Sequence, residues 1–435
     1  MFTTPIPWLV LVLSVGIPII FIVGVRYIVA HTGGRSSMSP IAGAGQDAFP
    51  LHISIPRSQV KKLLLAAIFG LGALVILMRF IFGIGAVSHM SDSFPWGIWI
   101  GIDVMGGVAL AAGAFVIAGA AHIFGVHRLE PLVRPAILTG FLGYLLVVCG
   151  LVVDLGRPYN IWRPLVHWQH HSVMWEVGMC VFTYTIVLFI EFLPVILERI
   201  NRFEAIATRL PTIPLYQFLR KISIIFVILG VILSTLHQSS LGSLWVLVPT
   251  KLNPLWYSIY LPVFFWISAI AIGLTMTIVE STLSSRAFNH GLETDLLADL
   301  AKWAVVVLGI YLVAKFADLI ARDAWPLLFE PTVQAAAFWL EIGLGVIIPM
   351  ILFSRRTWRE NPRILFTGAA LAVVGFALNR LNIPTVGMWQ WSGVRYFPSW
   401  MEAAVTLSLI TLGVMAFALA AKYLSVFPEE HHIDS

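Results

Sequence analysis

Residues 97–122 read GIWIGIDVMGGVALAAGAFVIAGAAH. This run holds one carboxylate, Asp103, and one histidine at its far end, His122. A stretch so long and so apolar is predicted to cross a hydrocarbon core of about 30 Å. No water reaches that depth, so the backbone must satisfy itself and the stretch must be helical. The rest of the chain repeats the pattern. Apolar spans fall at 8–29, 60–83, 97–122, 133–153, 172–195, 219–237, 256–282, 297–320, 333–353, 363–381 and 399–424, about eleven transmembrane helices. Composition agrees: 59% of residues are hydrophobic and 11% charged, with mean hydropathy +0.90. A soluble chain would carry roughly 25% charged residues. The expected class is an all-α polytopic integral membrane protein.

Charge sets the topology. With the N-terminus outside, the inner loops and adjoining helix ends hold 19 of the 27 Lys and Arg residues, the bias of the positive-inside rule. This places the C-terminus in the cytoplasm and explains a pI near 9.3 without nucleic-acid binding. The span 8–29 is longer than a signal-peptide core and lacks a basic leader, so it reads as a retained helix. Residues 1–59 then form a helix and a loose Gly/Ser/Pro connector, 60–425 the membrane domain, and 426–435 a cytoplasmic tail.

Ionisable groups are costly in lipid, so those within the spans are candidate functional residues. Asp103, Glu176 and His237 lie near the outer ends of their helices, and Asp154 ends its own. On α-helical spacing Asp103 shares a face with Gly106, Gly107 and Leu110. Asp154 and Arg157, spaced i, i+3, pair at a helix end or belong to a site continued by Asn160, Arg163, His167, Gln169, His170 and His171. Glu176, Cys180, Tyr184 and Glu191 form a polar stripe along the fifth helix suited to proton transfer. His237 reads as the cap of the sixth helix, followed by a polar run from Gln238 to Ser243. Further along, Glu280, Lys315, Asp318 and Glu341 are intramembrane candidates, with Lys315 and Asp318 read as a neutralising pair. Arg380 and Glu402 read as interfacial.

Cofactor arithmetic narrows the chemistry. Two cysteines, Cys149 and Cys180, cannot hold an iron–sulfur cluster on four thiolates. A haem clamped between helices needs two histidines at one depth, and His237 and His122 lie at opposite sides. No Walker loop, zinc motif or dinucleotide fingerprint is present. Any iron–sulfur clusters or other redox metals therefore belong to a partner.

Six segments carry a family resemblance: FPWGIWIGID (94–103), PLVRPA (131–136), DLGRPYN (154–160), HQSSLGS (237–243), PLW (254–256) and YFPSW (396–400). Together they resemble the NrfD/PsrC family, and within it the membrane subunits of nickel–iron hydrogenase complexes. The resemblance spans about 60–425 and leaves the N-terminal helix outside. It implies two four-helix bundles, at 60–195 and 219–353, with extra helices at 363–424. It also implies a quinone site near the outer face, fed by a ferredoxin-like iron–sulfur subunit and by hydrogenase large and small subunits. Some members bear a b-type cytochrome label, against which the histidine distribution argues here.

The two lines converge. A quinone takes up two electrons and two protons, so its site needs an apolar slot, hydrogen-bond partners and a proton route. Asp103, Asp154, Arg157, Asn160, Glu176, His237 and Gln238 are the quinone-binding candidates. Glu176, Tyr184, Glu191, Glu280, Lys315, Asp318 and Glu341 are the proton-transfer candidates. The expected function is a haem-free, quinone-reactive subunit in the bacterial inner membrane, passing electrons to menaquinone or ubiquinone. A proton or ion transporter and a passive anchor are the alternatives.

Overall fold

In the computed structural model, residues 57–202, 211–288 and 291–427 are described. The predicted span 8–29 and nearly all of the connector lie outside them. The chain divides into two units, Met1–Ile68 and Phe69–Ser435. Of the first, the described part is the opening of helix α1, Arg57–Phe82. The second carries the nine further membrane-length helices: α2 Trp99–His122, α3 Glu130–Asp154, α4 Val173–Ile200, α5 Thr212–Val246, α6 Leu261–Phe288, α7 Thr294–Ala321, α8 Val333–Ser354, α9 Pro362–Asn382 and α10 Trp400–Tyr423. These ten helices fall on the ten predicted spans that follow the first.

The sixth predicted helix, α5, differs most from expectation. It runs through to Val246, so His237 stands well inside it. The serines that suggested a loop bond back to their own helix: Ser239 to Thr235 O, Ser240 to Leu236 O and Ser243 to Ser239 O. This i−4 back-bonding lets a polar run stay helical in lipid.

Burial ranks the helices. In its most apolar window α2 is 72% buried and α6 67%, against 17% for α1, so α2 and α6 are central. The α4–α5 interface is the most extensive, and α6 packs on α2, α5, α7 and α9. Backbone proximity replaces the hydrophobic drive that lipid cannot supply. A Cβ on Gly375 of α9 would fall 2.1 Å from the Cα of Gly345 in α8, so only glycine permits this crossing.

The helices alternate in direction, and their connections meet at two sides. On the upper side, His89 Nδ1 meets Phe397 O at 2.9 Å, Asn253 N donates to Gly387 O, and Arg322 donates to Pro254 O. The lower side joins Arg128 to Asp299 and Arg134 to Glu198.

Two helices are irregular. Residues Trp99–Gly106 of α2 and Gly343–Ile347 of α8 are π-helical. The α-helical register predicted for Asp103 therefore does not hold, because each π turn carries an extra residue.

Gly375→Ala should force α8 and α9 apart at a cost of about 2 kcal/mol or more. The thermal midpoint in detergent is expected to fall by roughly 5 °C. Gly70→Ala, whose Cβ meets nothing within 4 Å, should leave it unchanged.

Candidate functional site

Four helix elements build an upper corner around two carboxylates. Asp103, buried in the π segment of α2, accepts a 2.8 Å hydrogen bond from Thr406 Oγ1 of α10. Gly150 of α3 lets the two helices close over it: a Cβ there would lie 2.9 Å from Asp103 Cβ. At the end of α3, the Oδ1 of Asp154 is buried and has no hydrogen-bond partner. The cation beside it is Arg79 of α1. Arg157 is exposed and forms no ion pair among the described residues. Arg79 spends its donors on main chain: Nε donates to Val153 O at 2.6 Å, and Nη2 donates to Leu155 O. The last carbonyls of a helix lack intrahelical donors, so a buried guanidinium is well used there.

Glu402 completes the corner. It is fully buried, not interfacial, and its carboxylate accepts from Tyr396 OH, from Ser399 N at 2.7 Å and from His89 N at 3.1 Å. Its own N–H donates to Ser399 Oγ at 3.1 Å, closing a capping box that starts α10. Burial, and then the Glu402 carboxylate beside it, push the Tyr396 phenol well above its ordinary range. Trp99 Nε1 donates to Glu402 O, tying α2 to α10.

A second polar group runs between α3, α4 and α5. Ser240 Oγ meets Glu176 Oε1 at 2.5 Å, and Tyr144 OH meets His237 Nδ1 at 2.7 Å. Tyr184 packs edge-on against Tyr144, their centroids 4.6 Å apart. Gln238 Nε2 donates to Val108 O at 3.0 Å. That carbonyl is free because α2 tightens just beyond it: Ala112 N bonds Ala109 O instead. Glu191 lies lower on the same seam, beside Gly230.

The third group, in α6–α9, is densely satisfied. Glu341 accepts from Trp256 Nε1 at 3.1 Å, Asn379 Nδ2 at 2.9 Å and Asn382 Nδ2 at 2.7 Å. Arg380, also fully buried rather than interfacial, donates to Ser268 Oγ and Asn379 Oδ1 and stacks on Phe265 at 3.7 Å. Asp318 pairs with Arg322 at 2.7 Å and accepts from Ser258, so it is not paired with Lys315. Lys315 sits over Phe264 and Phe338, with Glu341 the first of its acidic neighbours. Glu280 stands apart, accepting from Thr139 at 2.6 Å.

Asp103 and Asp154 are thus brought together, as are Glu176, Tyr184, His237 and Gln238. Arg157 is on the exposed part of the loop, and Asn160 has no side-chain hydrogen bond among the described residues. Arg79, Tyr144, Asn379 and Asn382 escaped the sequence reading, while Ser240 and Trp256 entered it within the segments 237–243 and 254–256. An arginine near the end of an apolar span was itself a signal; Tyr144, Asn379 and Asn382 carry none.

Comparison with known proteins completes the picture. Residues 86–390 match the family described as polysulphide reductase, NrfD. A protein of Nitratidesulfovibrio vulgaris strain Hildenborough is 38% identical over 82% of this chain and 92% of its own length. A protein of Escherichia coli K12 named probable Ni/Fe-hydrogenase 2 b-type cytochrome subunit is 32% identical over 82% and 89%. The integral membrane subunit of menaquinone reductase, also from N. vulgaris, is 28% identical over 81% and 88%.

Glu341→Ala would strand three buried donors and remove the first of the acidic neighbours of Lys315, costing about 3–5 kcal/mol. A large drop in thermal midpoint is expected. Glu341→Gln, which keeps one acceptor oxygen, should lose distinctly less.

Proposed function

The chain belongs to the NrfD family of membrane subunits of oxidoreductase complexes, and from that premise we propose that it is the quinone-interacting subunit of a respiratory complex. In this reading it passes electrons from an iron–sulfur partner on its upper side to menaquinone or ubiquinone. The name of the E. coli relative supports a nickel–iron hydrogenase as the complex, and that of the menaquinone reductase subunit supports menaquinone. The basic lower side supports a cytoplasmic C-terminus in a bacterial inner membrane.

One observation carries the proposal: the buried, unpartnered Oδ1 of Asp154. An acceptor held out of water without a donor costs roughly 1–3 kcal/mol, and a ligand hydroxyl relieves that cost. A quinone, when bound, supplies two-electron chemistry and takes up or releases two protons. Asp154 is the group that would receive a hydroxyl there or return its proton. Arg79, locked on Val153 O and Leu155 O, fixes a positive charge beside that carboxylate. Thr406 holds Asp103 behind it. Arg157 and Asn160, on the adjoining loop, belong to the rim of the same site in this proposal. Glu176, half-buried at the start of α4 and bonded to Ser240, is the second upper carboxylate.

We further propose that the chain holds no haem. His237 is the buried histidine of the described spans, and its Nδ1 is taken up by Tyr144. His122 is exposed at the lower end of α2. That set lacks a second axial ligand at matching depth. Among the proton-transfer candidates, Glu341 and Asp318 are held by several fixed partners and are better suited to structure. Glu176, Tyr184 and Glu191 stay freer.

Asp154→Asn in the intact complex tests the reading. Quinone-linked turnover should fall at least tenfold, while dye-linked turnover of the partner subunits is kept. Binding of a quinol-oxide inhibitor, followed by fluorescence quenching, should weaken in parallel. Unchanged turnover and binding would move the site elsewhere. Absence of saturable binding to the wild-type complex would favour an anchor or a transporter.

A further inference from the structure

Three clefts on the lower side differ in what lines them. One, of about 610 Å³, gathers His127, Arg128, Arg134 and Arg202 beside Glu130 and Glu198. Its cations are answered. His127 lies 2.9 Å from Glu130, Arg128 3.1 Å from Asp299 and Arg134 2.9 Å from Glu198, while Arg202 reaches Ser425 Oγ at 3.2 Å. Another, of about 440 Å³, sets Glu293 and Asp295 against the same Arg128. Neither offers a cation without a partner.

The cleft between α6 and the linker from α8 to α9 is different. It measures about 550 Å³ and is lined by Arg286, Thr357, Glu360, Asn361, Pro362 and Arg363. The linker reads RRTWRENPR (355–363), four arginines against one glutamate. Arg356 takes that glutamate at 2.6 Å, with Asp295 and Asp299 further off, and Arg359 donates to Phe353 O. Arg286 and Arg363 are exposed, and neither side chain has an ion pair or hydrogen bond among the described residues. Thr357 Oγ1 has no such partner either. Asn361 caps α9 with its oxygen, through Arg363 N, which leaves its Nδ2 uncommitted. The cleft thus presents two guanidiniums, a hydroxyl and an amide, against one carboxylate already held.

The positive-inside rule accounts for arginines in an inner loop. It does not account for two helix ends sharing unpaired guanidiniums across one cleft. A surplus of donors calls for a ligand that only accepts, and the oxygens of a phosphodiester accept from guanidinium two at a time. Basic pockets between membrane helices on this side suit anionic headgroups. The surroundings favour a lipid over free phosphate. Leu283, one turn above Arg286 on α6, is an exposed apolar side chain, and the half-buried Phe366 ring lies 5.7 Å from the Arg286 guanidinium. Trp358, 4.8 Å from the guanidinium of Arg355, is the residue type that settles at headgroup level. We propose that this cleft binds the headgroup of an anionic phospholipid of the lower leaflet. Arg286 and Arg363 hold its phosphodiester, Thr357 and Asn361 donate to the remaining oxygens, and an acyl chain runs up α6 past Leu283. Arg355 beside the cleft disfavours the ammonium of a zwitterionic headgroup.

The cleft is at the opposite ends of the helices from the proposed quinone site, so its test is independent of that reading. The intact complex, stripped of lipid in detergent, is titrated with phosphatidylglycerol and separately with phosphatidylcholine. Bound lipid is counted by native mass spectrometry. Phosphatidylglycerol should saturate one site with an affinity roughly tenfold or more above that of phosphatidylcholine. The double variant Arg286→Gln/Arg363→Gln should lose that preference. Arg128→Gln/Arg220→Gln, which removes two lower-side charges away from the cleft, should keep it.

Because Arg286 and Arg363 are exposed, the lipid-free thermal midpoint of their double variant should equal that of the wild type. Added phosphatidylglycerol joins the end of α6 to the start of α9, so it should raise the midpoint of the wild type and not of that variant. Equal binding of the two lipids would overturn the proposal, as would the same loss in both double variants, which would mark a general surface charge and no site. Inorganic phosphate at millimolar concentration separates the two sources of the anion. Retention of phosphatidylglycerol in its presence is expected. Displacement would make this a site for free phosphate and overturn the assignment to lipid.

Discussion

Within the spans the backbone polar groups must find their partners inside the protein, because the hydrocarbon around them offers none. That constraint explains the helices, and it also explains their irregularities. The α2 helix tightens at Ala112 and frees Val108 O, and Gln238 of α5 crosses to take it. The last carbonyls of α3 lie buried, and Arg79 comes from α1 to cap them. The serines near the upper end of α5 fold back on their own carbonyls. Each is a local answer to one rule: an unmet buried donor or acceptor costs more than the distortion that meets it.

The same rule sorts the buried charges. Glu341 is met by an indole and two amides, while Arg380 is met by a hydroxyl, an amide oxygen and an aromatic face. Changing protonation there would break several bonds at once, so such a group serves better as a fixed joint than as a carrier. Asp154 is the opposite case, with one oxygen left over beside a guanidinium already committed to carbonyls. Chemistry needs a group with something left to bind, and the upper corner holds one.

Much of the fold was legible because lipid makes hydropathy decisive: ten apolar runs became ten helices. The α5 boundary misled because Gln238–Ser243 is polar, and sequence does not reveal that its hydroxyls bond backward. The site was legible in its carboxylates and illegible in their partners. Arg79 acts on residues 74 and 76 positions away, and Tyr144 meets His237 at a separation of 93. Spacing arguments reach only one helix, so they offered Arg157 as one partner for Asp154 and Asp318 as the partner of Lys315. In the structure the cation beside Asp154 is Arg79, and Asp318 pairs with Arg322. The π turns were likewise invisible, since Trp99–Gly106 has the apolar run of any membrane helix.

That π segment joins the upper corner to the saturated group of α6–α9. Gly101, within it, packs so tightly on α9 that a Cβ would stand 3.1 Å from Leu381 Cα and 3.3 Å from Arg380 O. Asp103, two residues on, belongs to the upper corner; the side chain of Arg380 belongs to the saturated group. The rigid network of α6–α9 therefore abuts the strand of backbone that carries Asp103. A densely bonded joint resists displacement far better than an apolar contact that can slide. Its position is then the reason for its cost: buried charge, expensive in lipid, is spent where it holds the backbone behind a carboxylate still free to react.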